Sequence, residues 1–180
     1  MKLDHEVDVK SRYFRDPAGQ LFALHTADRT PDSRANHCIR LELHRLGRRA
    51  GVVTETDPAR PIARLDCLIE VVDPHTSACL IDLWLGSEPR SQATIDLMML
   101  EWARSLLARI GRTTLLGIAI LDLGATPRAE DGHRRYGHFT ACPDDIDPAS
   151  IWPARDEGYG TAARSTYTEV ARPGSGSAAP

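Results

Sequence analysis

The sequence predicts an α+β fold: a mostly antiparallel meander sheet, a long covering helix, and a strand returning parallel by a crossover. Three observations predict it. Apolar and polar residues alternate with period two through the first half, as in Cys38 to Leu46, where Ile39, Leu41 and Leu43 oppose Arg40, Glu42 and His44. From Arg90 to Ile110 the apolar residues Ile95, Met98, Met99, Trp102, Leu106 and Ile110 recur at steps of three and four. Leu115 to Leu121 is then apolar on both faces, as a central sheet strand is.

The elements follow in order. Residues 1–11 are a polar lead-in. Arg12 to Thr26 reads as two short strands around a turn at Asp16-Pro17-Ala18-Gly19. Thr30 to Asn36 is loop, and Cys38 to Leu46 is a strand with one wet face. Gly47 to Gly51 turns the chain, and Val52-Val53-Thr54 starts a return strand. Ile62 to Val72 is a strand with Leu65, Cys67, Ile69 and Val71 on one face. A turn at Asp73 to Ser77 leads into Cys79 to Leu85, with Ile81, Leu83 and Leu85 inward. The helix ends at Gly111, which supplies its C-terminal cap. The strand at 115–121 is then parallel to the last meander strand. Beyond Asp122 the pattern is irregular, with a short helix at Arg128 to Tyr136 and an edge strand within Ser165 to Ala171. Residues 1–171 form a single domain, and 172–180 (RPGSGSAAP) a flexible tail.

The chain has 180 residues, 42% hydrophobic and 26% charged, close to average globular usage. A net charge of -3 argues against a dedicated nucleic-acid binder. No basic-then-apolar leader opens the chain and no apolar run approaches a membrane span, so the expected location is the cytoplasm. Cys38, Cys67, Cys79 and Cys142 form no CxxC pair, and the first three read as small buried hydrophobes.

A strand, then Gly86-Ser87-Glu88-Pro89, then Arg90-Ser91-Gln92-Ala93-Thr94-Ile95, then a helix ending LEWARSLLARIG and the strand TTLLGIAIL resemble the core of the GNAT acyltransferase superfamily. The resemblance covers roughly residues 78–139 by eye. In that family the strand-to-helix loop holds the pyrophosphate of acetyl-CoA on backbone N–H groups. It implies that Arg90, Ser91, Gln92, Ala93, Thr94 and Ile95 bind acetyl-CoA or another acyl-CoA. Arg90 matches the motif's first position, whereas Ala93 and Ile95 stand where two small residues belong. The implied reaction moves an acyl group to a small-molecule or protein amine. It needs a base, for which Asp82 and Glu88 are the candidates, and an acid for the leaving thiolate, for which His133 or Tyr136 serves. Without such chemistry, Asp82 is a polar outward strand position and Glu88 a first-turn helix charge.

A second cluster gathers His133, His138, Cys142, Asp144, Asp145 and Asp147 within DGHRRYGHFTACPDDIDP. Imidazole and thiolate donors suit zinc, which makes His133, His138, Cys142 and Asp145 metal candidates, yet the spacing leaves a third good ligand unplaced and no zinc site is predicted. A metal-dependent hydrolase at His133/His138 is the weakest expectation. Trp152, Tyr159 and Tyr167 stand beside Arg134, Arg135, Arg155 and Arg164. Aromatics mixed with arginine compose a protein-partner surface. The alternative to an enzyme is therefore a non-catalytic binding protein, an immunity or regulatory partner that uses residues 124–167.

Overall fold

Period-two alternation sets the architecture. The computed structural model describes residues 9–28, 36–50, 52–86, 92–122, 134–146 and 167–174. Its strands are β1 (Val9–Arg15), β2 (Leu21–Asp28), β3 (Asn36–Arg49), β4 (Val52–Glu55), β5 (Ala63–Asp73), β6 (Thr76–Leu85), β7 (Thr114–Asp122), β8 (Arg134–Ala141) and β9 (Thr168–Val170). They form one sheet in the order β8-β7-β6-β5-β3-β2-β1-β9, with β4 paired to β3 off this path. Among the described residues the pairings are antiparallel except that of β6 with β7, which run parallel. The helix α1 (Gln92–Ile110) joins those two strands.

Among the described residues, strands make up 59% and helix 18%. This corrects the α+β expectation with its long covering helix: the fold is mostly β, a large mixed sheet with one α-helix among the described residues. Strand pairing extends further than the local sequence pattern suggests. β3 runs for 14 residues. The short helix expected at Arg128 to Tyr136 gives way to β8 from Arg134 onward, its earlier residues lying outside the described ones. In β8, Gly137 and Phe139 are buried and His138 and Thr140 exposed, which is a strand's period. The pairing with β7 sets Phe139 opposite Gly117. A Cβ on Gly117 would stand 2.8 Å from the Cys79 carbonyl oxygen and closer still to the Phe139 ring, so glycine is what admits that ring.

The core lies between one sheet face and α1. Phe22, Leu24, Leu41, Leu65, Ile81 and Leu115 point inward from the strands, and Ile95, Met98, Trp102 and Leu106 from the helix. Trp102 meets Phe139 edge to face at 6.2 Å. Gly111, at φ +65°, closes the helix by donating its N–H to the Leu107 carbonyl, 3.0 Å away. Cys67 and Cys79 are buried and Cys38 and Cys142 half-buried, and none of the four forms a disulfide. Burial pushes the Cys67 thiol well above its ordinary range, which keeps it inert.

The chain's ends are pinned by Arg12. Its guanidinium pairs with Glu101 on α1 and with Glu169 on β9, where Nε donates to Oε1 at 2.8 Å. Hydrogen bonding from Arg12 holds the Glu169 carboxyl below its ordinary value. The opposite sheet face carries exposed Leu68, Leu80, Leu116 and Ile118 over β5 to β7 and a polar half over β1 to β3. No described helix is long and apolar enough to cross a membrane.

Candidate metal centre

β3 is longer than β5 can accompany. Ile62 N–H donates to the Leu43 carbonyl at 2.7 Å and Thr56 N–H to the Arg45 carbonyl at 2.9 Å. Residues 57–61 therefore leave the ladder, and β4 takes the place of β5 beside the end of β3. Glu55 falls opposite Leu46, His44 opposite Ala23 and His25 opposite Glu42. Alternation puts His25, His44 and Glu55 on the same face, away from α1.

Each residue offers one ligand atom, and the three atoms lie within 4.8 Å of one another. His25 Nε2 is 2.7 Å from Glu55 Oε1. His44 Nδ1 is 3.4 Å from Glu55 Oε2. The imidazole rings stand 5.4 Å apart, tilted by 51°. His44 is 3% exposed, whereas the His25 and Glu55 side chains are 24% and 26% exposed. The cluster is walled on one side and open to solvent on the other.

The outer nitrogen of His25 is also partnered, and that of His44 has a carboxylate nearby. His25 Nδ1 shares a hydrogen bond with Ser11 Oγ at 2.8 Å, and His44 Nε2 faces Glu42 Oε2 at 3.6 Å. Metal-ligating histidines are characteristically oriented by such outer partners. His44 Nδ1 is buried and makes no hydrogen bond. In a cluster that held nothing, that atom would cost about 1–3 kcal/mol. A tetrahedral site with bonds of about 2.0–2.1 Å separates neighbouring ligand atoms by about 3.4 Å, which is the His44–Glu55 spacing. Two imidazoles and a carboxylate suit zinc and other divalent first-row metals, and three protein ligands leave a coordination position open. Replacing Ser11 by alanine should lower metal affinity about 10–100-fold by freeing the His25 ring. Calorimetric titration with zinc measures this, and an unchanged affinity would remove Ser11 from the orienting role.

The residues singled out in the sequence lie elsewhere. Asp82 is exposed on β6, on the same sheet face but opposite Asp66 rather than beside the histidines. Ala93, Thr94 and Ile95 are buried at the start of α1, where Thr94 Oγ1 shares a hydrogen bond with the Tyr167 hydroxyl at 3.1 Å. Gln92 opens α1 and Tyr136 lies in β8, while Glu88, Arg90, Ser91 and His133 fall outside the described residues. His138 is exposed on β8. Cys142 donates weakly to the Thr113 carbonyl at 3.6 Å, and Asp145 ends a 3-10 turn over Pro143–Asp145. Among the described residues, His138, Cys142 and Asp145 belong to no group of three prospective ligands. Tyr167 stands edge-on to Phe22 at 5.2 Å, and Trp152, Tyr159, Arg155 and Arg164 lie outside the described residues.

Alternation in β3 puts His44 on the polar face, where it is buried rather than wet, and nothing local joins it to His25 or Glu55. The available signal was two histidines on neighbouring antiparallel strands, each with period-two polarity. No protein-family model, curated protein or solved structure matches this chain. The functional reading therefore stands on the geometry of the site.

Proposed function

We propose that the protein binds a divalent first-row metal, zinc foremost, through His25, His44 and Glu55, and that the open position serves hydrolytic chemistry. The observation that carries this reading is the buried His44 Nδ1, without a hydrogen bond and 3.4 Å from Glu55 Oε2. A metal held by three protein ligands supplies Lewis acidity, lowering the pKa of a bound water to about 7 or polarising a substrate oxygen. Ser11 fixes which nitrogen His25 presents, and the half-exposed His25 and Glu55 leave the approach open. Titrating metal-free protein with zinc tests the reading. One zinc per chain is expected, and a flat titration refutes it.

Acyl transfer from acyl-CoA to an amine is the second reading, favoured by the parallel β6–α1–β7 unit with residues 87–91 between strand and helix. Burial of Ala93, Thr94 and Ile95 weighs against it, because backbone at a phosphate site must be approachable. A titration with acetyl-CoA separates the two: saturable binding that weakens in Arg90→Ala supports transfer, and no heat at millimolar ligand sinks it.

A further inference from the structure

Two hairpins end side by side at one end of the sheet. Arg15 closes β1 opposite Leu21, the first residue of β2, and Arg48 near the end of β3 stands opposite Val53 of β4. Leu21 is in turn opposite Leu46. Phe14 and Phe22 face the core, so alternation turns Arg15, Leu21, Leu46 and Arg48 to the sheet face away from α1. The chain after β9 supplies a third side. Val170 pairs with Tyr13, and Gly174, at φ +93°, turns the chain after Pro173. Arg15, Leu21, Arg48, Val53, Val170 and Pro173 are among the residues that line a cavity of about 300 Å³ there. That volume suits a small molecule.

Its charges select the ligand. Among the described residues no carboxylate lines the cavity. Arg12, Arg40 and Arg109 each hold a carboxylate elsewhere in the fold. The Arg15 and Arg48 guanidinium groups make no hydrogen bond or ion pair among the described residues. Two strand spacings and two residues separate them, about 10 Å across the sheet and about 7 Å along it, so two long side chains converge on one anion between them. Two cations facing one cavity repel each other, and a bound anion relieves that repulsion. A guanidinium fork matches phosphate oxygens in two parallel hydrogen bonds. A phosphate monoester carries a charge of about -1.5 to -2, which balances both arginines where a carboxylate balances one.

We infer that this cavity binds a small phosphate monoester with an apolar body. Arg15 and Arg48 hold the phosphate, and Leu21, Val53, Val170 and Pro173 pack against the body. The site is independent of the metal centre, none of whose ligands lines the cavity.

The test is calorimetric titration of the full chain, freed of metal on a chelating resin, with butyl phosphate, inorganic phosphate and valerate in turn. Butyl phosphate should bind one per chain and about ten-fold more tightly than either of the others, since inorganic phosphate lacks the apolar body and valerate carries a single charge. Arg15→Gln and Arg48→Gln should each weaken butyl phosphate about ten-fold. Both side chains are exposed, so both variants should keep the wild-type circular dichroism spectrum. Arg48→Lys, which keeps the charge and loses the fork, should recover part of the affinity. Valerate or inorganic phosphate binding as tightly as butyl phosphate overturns the inference. So does butyl phosphate binding that survives both glutamine substitutions together, or no saturable heat at millimolar ligand. Zinc uptake is measured separately, so the two sites stand or fall independently.

Discussion

Replacing His44 by alanine is expected to abolish stoichiometric zinc binding while the sheet stays folded. His44 is the most buried of the three ligands, and its Nδ1 is the atom with no hydrogen bond. Its removal leaves two half-exposed ligands that also hydrogen-bond each other. The loss should therefore exceed the roughly 100-fold upper range for an outer partner. The metal-free fold should tolerate the change, because the truncation removes a buried unsatisfied nitrogen together with the ring's packing. Linkage gives an independent readout. Zinc at one hundred times its Kd should stabilise the wild-type chain against urea by about 2.7 kcal/mol, and the variant not at all. His44→Gln, closer in volume, guards against a folding artefact. A variant that binds one zinc with wild-type affinity would falsify the assignment.

The second large effect is expected at Trp102, where alanine should cost about 3–5 kcal/mol of folding stability. Trp102 is fully buried, the largest side chain so enclosed among the described residues, and meets Phe139 of β8 edge to face. It thus ties the helix to an outer strand of the sheet. A loss of that size is a large share of the ~5–15 kcal/mol that holds a typical domain together. Urea unfolding followed by circular dichroism measures it. A shift below about 1 kcal/mol would mean that α1 is not seated on the sheet through this residue.

Much of the local structure was legible because period and face are written in single residues. Ile39, Leu41 and Leu43 announce β3, and Ile95, Met98, Trp102 and Leu106 announce α1. The parallel step from β6 to β7 followed from an all-apolar strand after a helix. The balance of the fold was less legible. Arg134 to Ala141 holds glycine, histidine and two arginines, and is a strand through its pairing with β7, where Gly117 admits Phe139. The site was hidden for a related reason. A ligand set made across strands depends on register, which the pattern within any one strand does not state. Glu55 joins the histidines only because residues 57–61 step out of the ladder and let β4 continue beside β3. Neither fact has a motif. The acyl-CoA resemblance rests on a contiguous stretch instead, of which Ala93, Thr94 and Ile95 are buried.

Arg12 and Glu169 are 157 residues apart in the chain. Closing so long a loop is entropically slow, so the β1–β9 contact belongs to the late stage of folding. Its ladder is only three residues long, and the ion pair and the Tyr167 contacts beside it supply the rest of its hold, with the Glu169 side chain 53% exposed. Such an element opens by local fluctuation at a fraction of the global unfolding cost, and its amides exchange with solvent before those of β3 or β5. β9 can thus swing away while β2, β3 and β4, which carry His25, His44 and Glu55, keep their register. Opening at β9 would therefore leave a metal at the proposed centre in place, since the strands that carry its ligands lie farther in.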